Sequence, residues 1–358
     1  MTKKPIVAMD LATKGIDGGP YISNFRVMNS DLRFKYDFVS FSYKTELGRG
    51  ISIKRILDLR AQLKQLKPDI VHFSGLQLAG LHTILACKLA GIKRTVVTIH
   101  GFSGDALDIH PFIKGILTYF IEPLTLFLSK RIIGVSEYVI SRKMVRMFNH
   151  KCCGAIYNLV PFAYVSNNEP SLRSELGLST SDILAVSVAR IRKDKGYHIL
   201  DAAIASFRNE PQLKFIIVGE GDYLDEMRKN LKEPMLNGQV YFLGYRSDIQ
   251  RILHDSDFFI LPTLHETLSI ALLEASVEGL ALIASNTGGV PEIVENGYNG
   301  LLVFPGDVTE LTNAINILHT NNILRKRYSA NSLERVKEKF SSHVIESKID
   351  KVYQSLLK

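Results

Sequence analysis

The chain has 358 residues, of which 46 % are hydrophobic and 22 % charged, with three cysteines and no tryptophan. This is too long for one ordinary core and suits two, and the composition is that of a globular protein without low-complexity tracts or short repeats. The charge is uneven: residues 1–165 hold 23 Lys+Arg against 11 Asp+Glu and residues 166–358 hold 21 against 25, so the halves carry +12 and −4, which sum to the formal +8. A basic first half is expected to face something anionic, such as a lipid surface or a phosphorylated acceptor. Nucleic acid fits poorly, because no basic stripe with interleaved aromatics occurs.

Strand-like runs alternate with helix-like segments along the whole chain. The first half has runs at 5–10, 36–42, 69–75, 94–101, 131–136 and 154–160. The second half has them at 182–190, 213–221, 240–245, 257–263, 281–289 and 300–307. Many are continuously apolar, the pattern of parallel strands buried on both faces, and the alternation implies right-handed βαβ units. The first run stops at Asp10, too early for a secretory signal. The most apolar segment, "PFIKGILTYFIEPLTLFLSK" at 111–130, is interrupted by Lys114, Glu122 and Pro123 and is not expected to span a bilayer. These features predict a cytoplasmic location. Cys87, Cys152 and Cys153 show no metal-ligand spacing.

The alternation pauses at "PFAYVSNNEPSLRSE" (161–175), which reads as a linker. The expected domains are 1–165 and 166–340, with a helix at 341–358 that returns to the first domain. Within the helical tail 309–358, Phe340, Val344, Ile349 and Val352 recur at helix-like spacing.

Ligands of open parallel sheets lie beyond the carboxyl ends of the strands. Gly18-Gly19 follow the first strand and His100 the fourth. In the second half Arg190, Lys193 and Lys195 follow "ILAVSVA", Gly219 follows "FIIV", and Glu266 follows "FFILPT". Arg and Lys together suit a diphosphate, and a helix start adds a positive dipole end. In "HETLSIALLEAS", Glu266 precedes a helix and Glu274 is placed two turns on, about 12 Å away if all eight residues are helical. One carboxylate could hold sugar hydroxyls and the other ribose hydroxyls, with the amides of Thr267, Leu268, Ser269 and Ile270 free to bind further oxygens. Asp255-Ser256-Asp257 mimics a metal motif but precedes its strand, the wrong end of the sheet.

These pieces, in this order, resemble the retaining glycosyltransferases of family 4, the "group 1" glycosyl transferases. The resemblance rests on "VARIRKDKG", "IIVGEGD", "DFFILPT", "HETLSIALLEA", "ASNTGGVPEIV" and "NGLLVFPGD", and more loosely on "DGGPY", "VVTIHG", "GVSEYV" and "IYN". It implies the α/β GT-B fold, two doubly wound Rossmann-like domains facing a central cleft. It implies that Arg190 and Lys195 stabilise the leaving diphosphate and that Glu274 binds the ribose. Glu266 would contact the donor sugar, His100 would lie near the reacting sugar, Gly19 would approach the phosphates, and Asn158 and Ser136 would line the cleft. Family members often have Gly-Phe-Gly where this chain has Thr267-Leu268-Ser269, and Asn-Gly-Val-Asp where it has Asn158-Leu159-Val160-Pro161.

The resemblance further implies transfer of a hexose or N-acetylhexosamine, with retention and without a metal or other cofactor. The donor would be a nucleotide diphosphate sugar (a UDP-sugar by family weight) and the acceptor a lipid-linked saccharide in O-antigen, capsule or exopolysaccharide assembly. The enzyme would be cytoplasmic, peripheral on the inner face of the membrane, with residues 111–131 a candidate for lipid contact and a plain core helix pair the other reading. A nucleotide-sugar 2-epimerase and a non-catalytic nucleotide-sugar-binding protein are the alternatives.

Overall fold

The computed structural model describes residues 3–11, 18–47, 50–106, 109–161, 163–165 and 170–358. The linker expected at 161–175 therefore falls partly outside the described residues. The chain forms two compact units: Met1–Leu159 with Phe340–Lys358, and Val160–Lys339.

The first unit is built on six parallel strands: β1 (Ile6–Asp10), β2 (Asp37–Phe41), β3 (Ile70–Ser74), β4 (Thr95–Ile99), β5 (Arg131–Gly134) and β6 (Cys152–Ala155). Their order is β2-β1-β3-β4-β5-β6. Val7, Ala8, Met9, Ile70, Val71, Phe73, Val96 and Val97 are fully buried, as continuous apolar runs require in a sheet covered on both faces. β6 is displaced from the expected 154–160. Its pairing with β5 is irregular, and β5 ends at Gly134. The Ile156 amide still donates to the Gly134 carbonyl at 2.9 Å, but beyond it the chain bonds to the helix Gly19–Asn29: Asn158 Oδ1 accepts from Ser23 Oγ at 2.9 Å and the Leu159 carbonyl accepts from Arg26 at 3.0 Å.

The terminal helix Ser342–Leu357 belongs to this unit. Ile345, Ile349, Val352, Tyr353 and Leu356 pack into its core beside Val7, Ile70 and Val96. Tyr353 OH meets His72 Nδ1 at 2.7 Å, and Asp350 accepts from Lys35 and from Tyr36, both at 2.6 Å. The expected stripe is corrected at one place: Val344 is half-exposed and Ile345 is buried. The extended Ser341, at ψ 143°, breaks the chain from the preceding π-turn and resets the helical phase.

In the segment 111–130 the interruptions do not end the helix. Pro111–Leu128 runs as one continuous helix, in which a π-turn at Leu117–Ile121 accommodates the missing N–H of Pro123. Lys114 donates to the Ala106 carbonyl at 2.9 Å and buried Glu122 accepts from the Ser103 amide at 2.6 Å, so neither breaks the helix. Its length and mean hydropathy of 1.3 would suffice to cross a membrane. Yet Leu117, Ile121, Thr125 and Leu126 are buried against the unit.

The second unit repeats the design with β7 (Ile183–Val188), β8 (Leu213–Val218), β9 (Val240–Gly244), β10 (Phe258–Leu261), β11 (Ala281–Ser285) and β12 (Gly300–Val303), in the order β12-β11-β10-β7-β8-β9, all parallel. Its core joins Phe215, Ile217, Phe258 and Ile283 of the sheet to Leu200, Ile204, Leu311 and Ile315 of the covering helices. Most strands end two or more residues earlier than the apolar runs suggest.

Candidate active site

In the second unit the loop after β7 carries the basic residues. Arg190 is exposed and makes no hydrogen bond or ion pair with another described residue. Lys195 is held differently. Its Nζ donates to Glu266 Oε2 at 2.8 Å, and the two side chains are only 18 % and 14 % exposed. The backbone fixes this meeting. The Asp194 carbonyl accepts from the Leu264 amide at 2.9 Å and from Thr263 Oγ1 at 3.3 Å, which straps the basic loop to the loop after β10. Gly196, at φ +77°, closes the turn, and any Cβ there would collide with the Pro262 carbonyl. Lys193 points elsewhere, over the Tyr223 ring at 5.3 Å and 3.5 Å from Glu226.

Glu266 is fixed from behind. Its carbonyl accepts from Gly289 N at 3.1 Å, and Gly288, at φ +55°, lies so close that a Cβ would strike that carbonyl. The residues between Glu266 and Glu274 differ from expectation. The helix begins only at Ile270. The Thr267 amide donates to Glu266 Oε1 at 3.2 Å, and the Leu272 amide donates to Ser269 Oγ at 3.2 Å. Of the four amides expected to be open, Thr267's is therefore taken, and the helix start offers Ile270 and Ala271. Glu274 stands little more than one turn into the helix, not two, which is about 6 Å along the axis from Ile270. Leu272, Leu273, Ala275 and Ser276 are buried, whereas Ile270 and Glu274, four residues apart, share a more open face. A carboxylate fits among leucines because it lies on that face. Thr267, Leu268 and Ser269 adopt no positive φ, so this stretch does not require the glycines that the resemblance would place there.

Gly219 follows β8, but its amide donates to the Gly244 carbonyl at 2.8 Å and its missing side chain makes room for the Ala189 carbonyl. Its duty in this structure is close packing under the basic loop. Asp255 and Asp257 precede β10, where Leu172 N, Leu184 N and Arg173 engage them.

In the first unit the strand ends also converge. Gly18 caps the helix Gly19–Asn29, whose first turn carries no acid. His100 follows β4, with Nε2 3.4 Å from Ser74 Oγ. Burial lowers its pKa to about 4, so the imidazole is neutral at pH 7. Sequence reading missed the centre of this group. Asp10 accepts from the Ser74 amide at 3.0 and 3.1 Å and from Asn24 Nδ2 at 2.8 Å, and Ser74 Oγ reaches Asn24 Oδ1 at 3.2 Å. Burial pushes the Asp10 carboxyl up to about 7 against these bonds. The available signal was an acid closing a buried strand at its carboxyl end. Ser136 and Asn158, expected to line a ligand site, are buried; Ser136 Oγ accepts from Val139 N at 3.2 Å to cap a helix, and Asn158 binds Ser23.

Residues 168–335 match the model of "Glycosyl transferases group 1" and residues 20–149 that of "Glycosyltransferase Family 4". The UDP-Gal:alpha-D-GlcNAc-diphosphoundecaprenol alpha-1,3-galactosyltransferase of Escherichia coli is 30 % identical over 294 residues, 78 % of this chain and 74 % of that protein. The capsular polysaccharide biosynthesis glycosyltransferase CapM of Staphylococcus aureus is 26 % identical over 88 % of this chain and 87 % of its own length. Among solved structures, Anabaena Alr3699/HepE in complex with UDP and glucose superposes with a TM-score of 0.79 at 20 % identity, covering 99 % of this chain and all of that one. Two six-stranded parallel sheets of GT-B type, a basic loop strapped to an acidic one, and these relatives lead to one conclusion: the chain belongs to the family 4, group 1 glycosyltransferases.

Proposed function

We propose that the chain moves a hexose or N-acetylhexosamine from a UDP-sugar to a hydroxyl of a lipid-linked saccharide during polysaccharide assembly, with retained anomeric configuration and no metal. The observation that carries this reading is the Lys195–Glu266 pair, formed from the loop after β7 that also carries the exposed Arg190, which pairs with no other described residue. Arg190 supplies a free guanidinium for the diphosphate, and Lys195 a second charge that Glu266 orients. The amides of Ile270 and Ala271 add donors for phosphate or sugar oxygens, and Glu274 takes the ribose hydroxyls.

The step is a front-face displacement. The bond from the anomeric carbon to the phosphate oxygen breaks as the acceptor oxygen attacks from the same side, and the departing oxygen takes the acceptor proton. A double displacement needs a free carboxylate against the anomeric carbon; Glu266 is engaged by Lys195, which favours the single-step path. The neutral His100 serves as a hydrogen-bond partner for the sugar, and the first unit takes the acceptor, at the inner face of the membrane. The named activities of the Escherichia coli and Staphylococcus aureus relatives support the saccharide class.

The test is calorimetry with UDP, GDP and ADP on the wild type and on Glu274→Ala. Binding of UDP that weakens in the variant supports the donor site. A preference for GDP or ADP would overturn the uridine assignment, and equal binding by Glu274→Ala would remove the ribose role. Product formed from UDP-sugar without any acceptor would favour epimerisation over transfer.

A further inference from the structure

The helix Pro111–Leu128 has an outer face that no described residue of its unit covers. Phe112, Tyr119, Phe120 and Phe127 are 72, 77, 70 and 64 % exposed, and Ile113, Ile116 and Leu124 are also open. Positions 112, 116, 120, 124 and 127 advance by three and four residues, with 119 adjoining 120, so they form one stripe along the helix. An aromatic side chain offers roughly 150–250 Å², so the four rings alone expose on the order of 500 Å², at the upper end of what monomers leave uncovered.

Cations gather at the carboxyl end of the stripe. Lys151 Nζ donates to the Phe127 carbonyl at 2.5 Å and stands 5.2 Å from the Phe127 ring centroid. It also lines a surface cavity of about 390 Å³ with Arg131, His150, Lys348 and Lys351, and no carboxylate is among the lining residues. Burial first, then the like charges of Lys88 and Lys130, lowers the Lys151 pKa. Like charges held this closely call for an anionic occupant.

We propose that this face of the N-terminal unit docks on an anionic bilayer, with the stripe among the outer acyl carbons and the basic cavity around the phosphate of an acidic headgroup. The apolar stripe with a cationic border is what an in-plane helix needs. The helix does not cross the bilayer, since its other face is packed and holds buried Glu122. A second copy of the chain is the weaker occupant: a two-fold interface sets the same patch against itself and would oppose the lysines. The proposal deepens the reading above, that transfer occurs at a membrane, by naming the docking face.

The chain has no tryptophan, so Phe120→Trp creates a single reporter, and Ile323→Trp, at a position 85 % exposed in the other unit, is its control. With vesicles of phosphatidylcholine containing about one-third phosphatidylglycerol at low salt, Phe120→Trp emission should shift blue and be quenched by brominated acyl chains, while Ile323→Trp stays unchanged. The pair Tyr119→Ser/Phe120→Ser should lower flotation with these vesicles by about tenfold or more, and Lys88→Glu/Lys130→Glu should remove the preference for anionic over neutral vesicles by a similar factor. UDP binding and thermal midpoints of both double variants should match the wild type, which separates failure of docking from failure of the transferase reading. Water-like emission of Phe120→Trp on anionic vesicles would overturn the proposal. So would a blue shift that needs only protein concentration, which would assign the stripe to a second copy.

Discussion

Lys195→Ala removes an ammonium 2.8 Å from Glu266, whose side chain is 14 % exposed in the native protein, and leaves the Thr267 amide as a donor to the carboxylate. At an effective dielectric near 20, charges at this distance attract by about 6 kcal/mol before desolvation is counted. Net charge-assisted bonds are worth about 1.5–3 kcal/mol, so stability should fall by about 1–3 kcal/mol. Turnover should fall by more than about tenfold, which corresponds to about 1.4 kcal/mol of lost stabilisation of the leaving diphosphate. The two effects separate in a cycle with Glu266→Ala. The double variant should recover part of the stability, because no unpaired carboxylate remains, but none of the turnover. Urea unfolding measures the first quantity, and UDP release from a panel of UDP-glucose, UDP-galactose and UDP-N-acetylglucosamine measures the second. A folded Lys195→Ala protein that releases UDP at a near-normal rate would refute the catalytic assignment, and additive stability losses would refute the coupling.

Three further outcomes are expected. Arg190→Ala should weaken UDP binding about 5- to 30-fold and leave the urea midpoint within about 0.5 kcal/mol of wild type, because Arg190 is exposed and unengaged; an unchanged Kd by calorimetry would exclude it from the donor site. Gly288→Ala should cost about 1–3 kcal/mol and reduce turnover, because a Cβ at φ +55° drives into the Glu266 carbonyl; a wild-type thermal midpoint would contradict that contact. Acid should destabilise the fold between about pH 6.5 and 4. Burial lowers the pKa of His72 to about 3 and of His82 and His100 to about 4, so their contributions are complete above the unfolded value and are lost as pH falls. Asp10, raised to about 7, opposes them: its contribution is complete below about pH 4 and is lost as pH rises toward 7. Three histidines outweigh one carboxyl, so the urea midpoint should drop between pH 7.5 and 5; a midpoint that holds or rises would show that the histidines are solvated.

Most of the strands were legible because they are buried parallel strands, and continuous hydrophobicity over four to six residues is a local property; the half-exposed β6 (Cys152–Ala155) lacks such a run and was placed too late. The positions of Arg190, Lys195, Glu266 and His100 at strand ends were legible for the same reason: chain order in a doubly wound sheet dictates which end a loop occupies. What failed was phase. The start of the helix after Glu266 depended on Ser269 acting as its cap, and the tail stripe depended on the break at Ser341. Pro123 looked like a stop for the helix at 111 because its cost is local, but the π-turn before it absorbs that cost.

The sequence by itself determined the α/β architecture, the strand set and the collection of glycine and charge at the sheets' carboxyl ends, since all three follow from short-range pattern. Only the tertiary structure decided which charges meet and which faces stay open. Lys195 and Glu266 are 71 positions apart, and whether they pair depends on the strapping of two loops by backbone bonds. Asp10 became the centre of a polar network through Ser74 and Asn24, from another strand and a helix. The stripe from Phe112 to Phe127 has the composition of a core helix, and only the packing of its opposite side leaves those rings facing outward. Burial and pairing at long range belong to the whole fold, so no local window of sequence contains them.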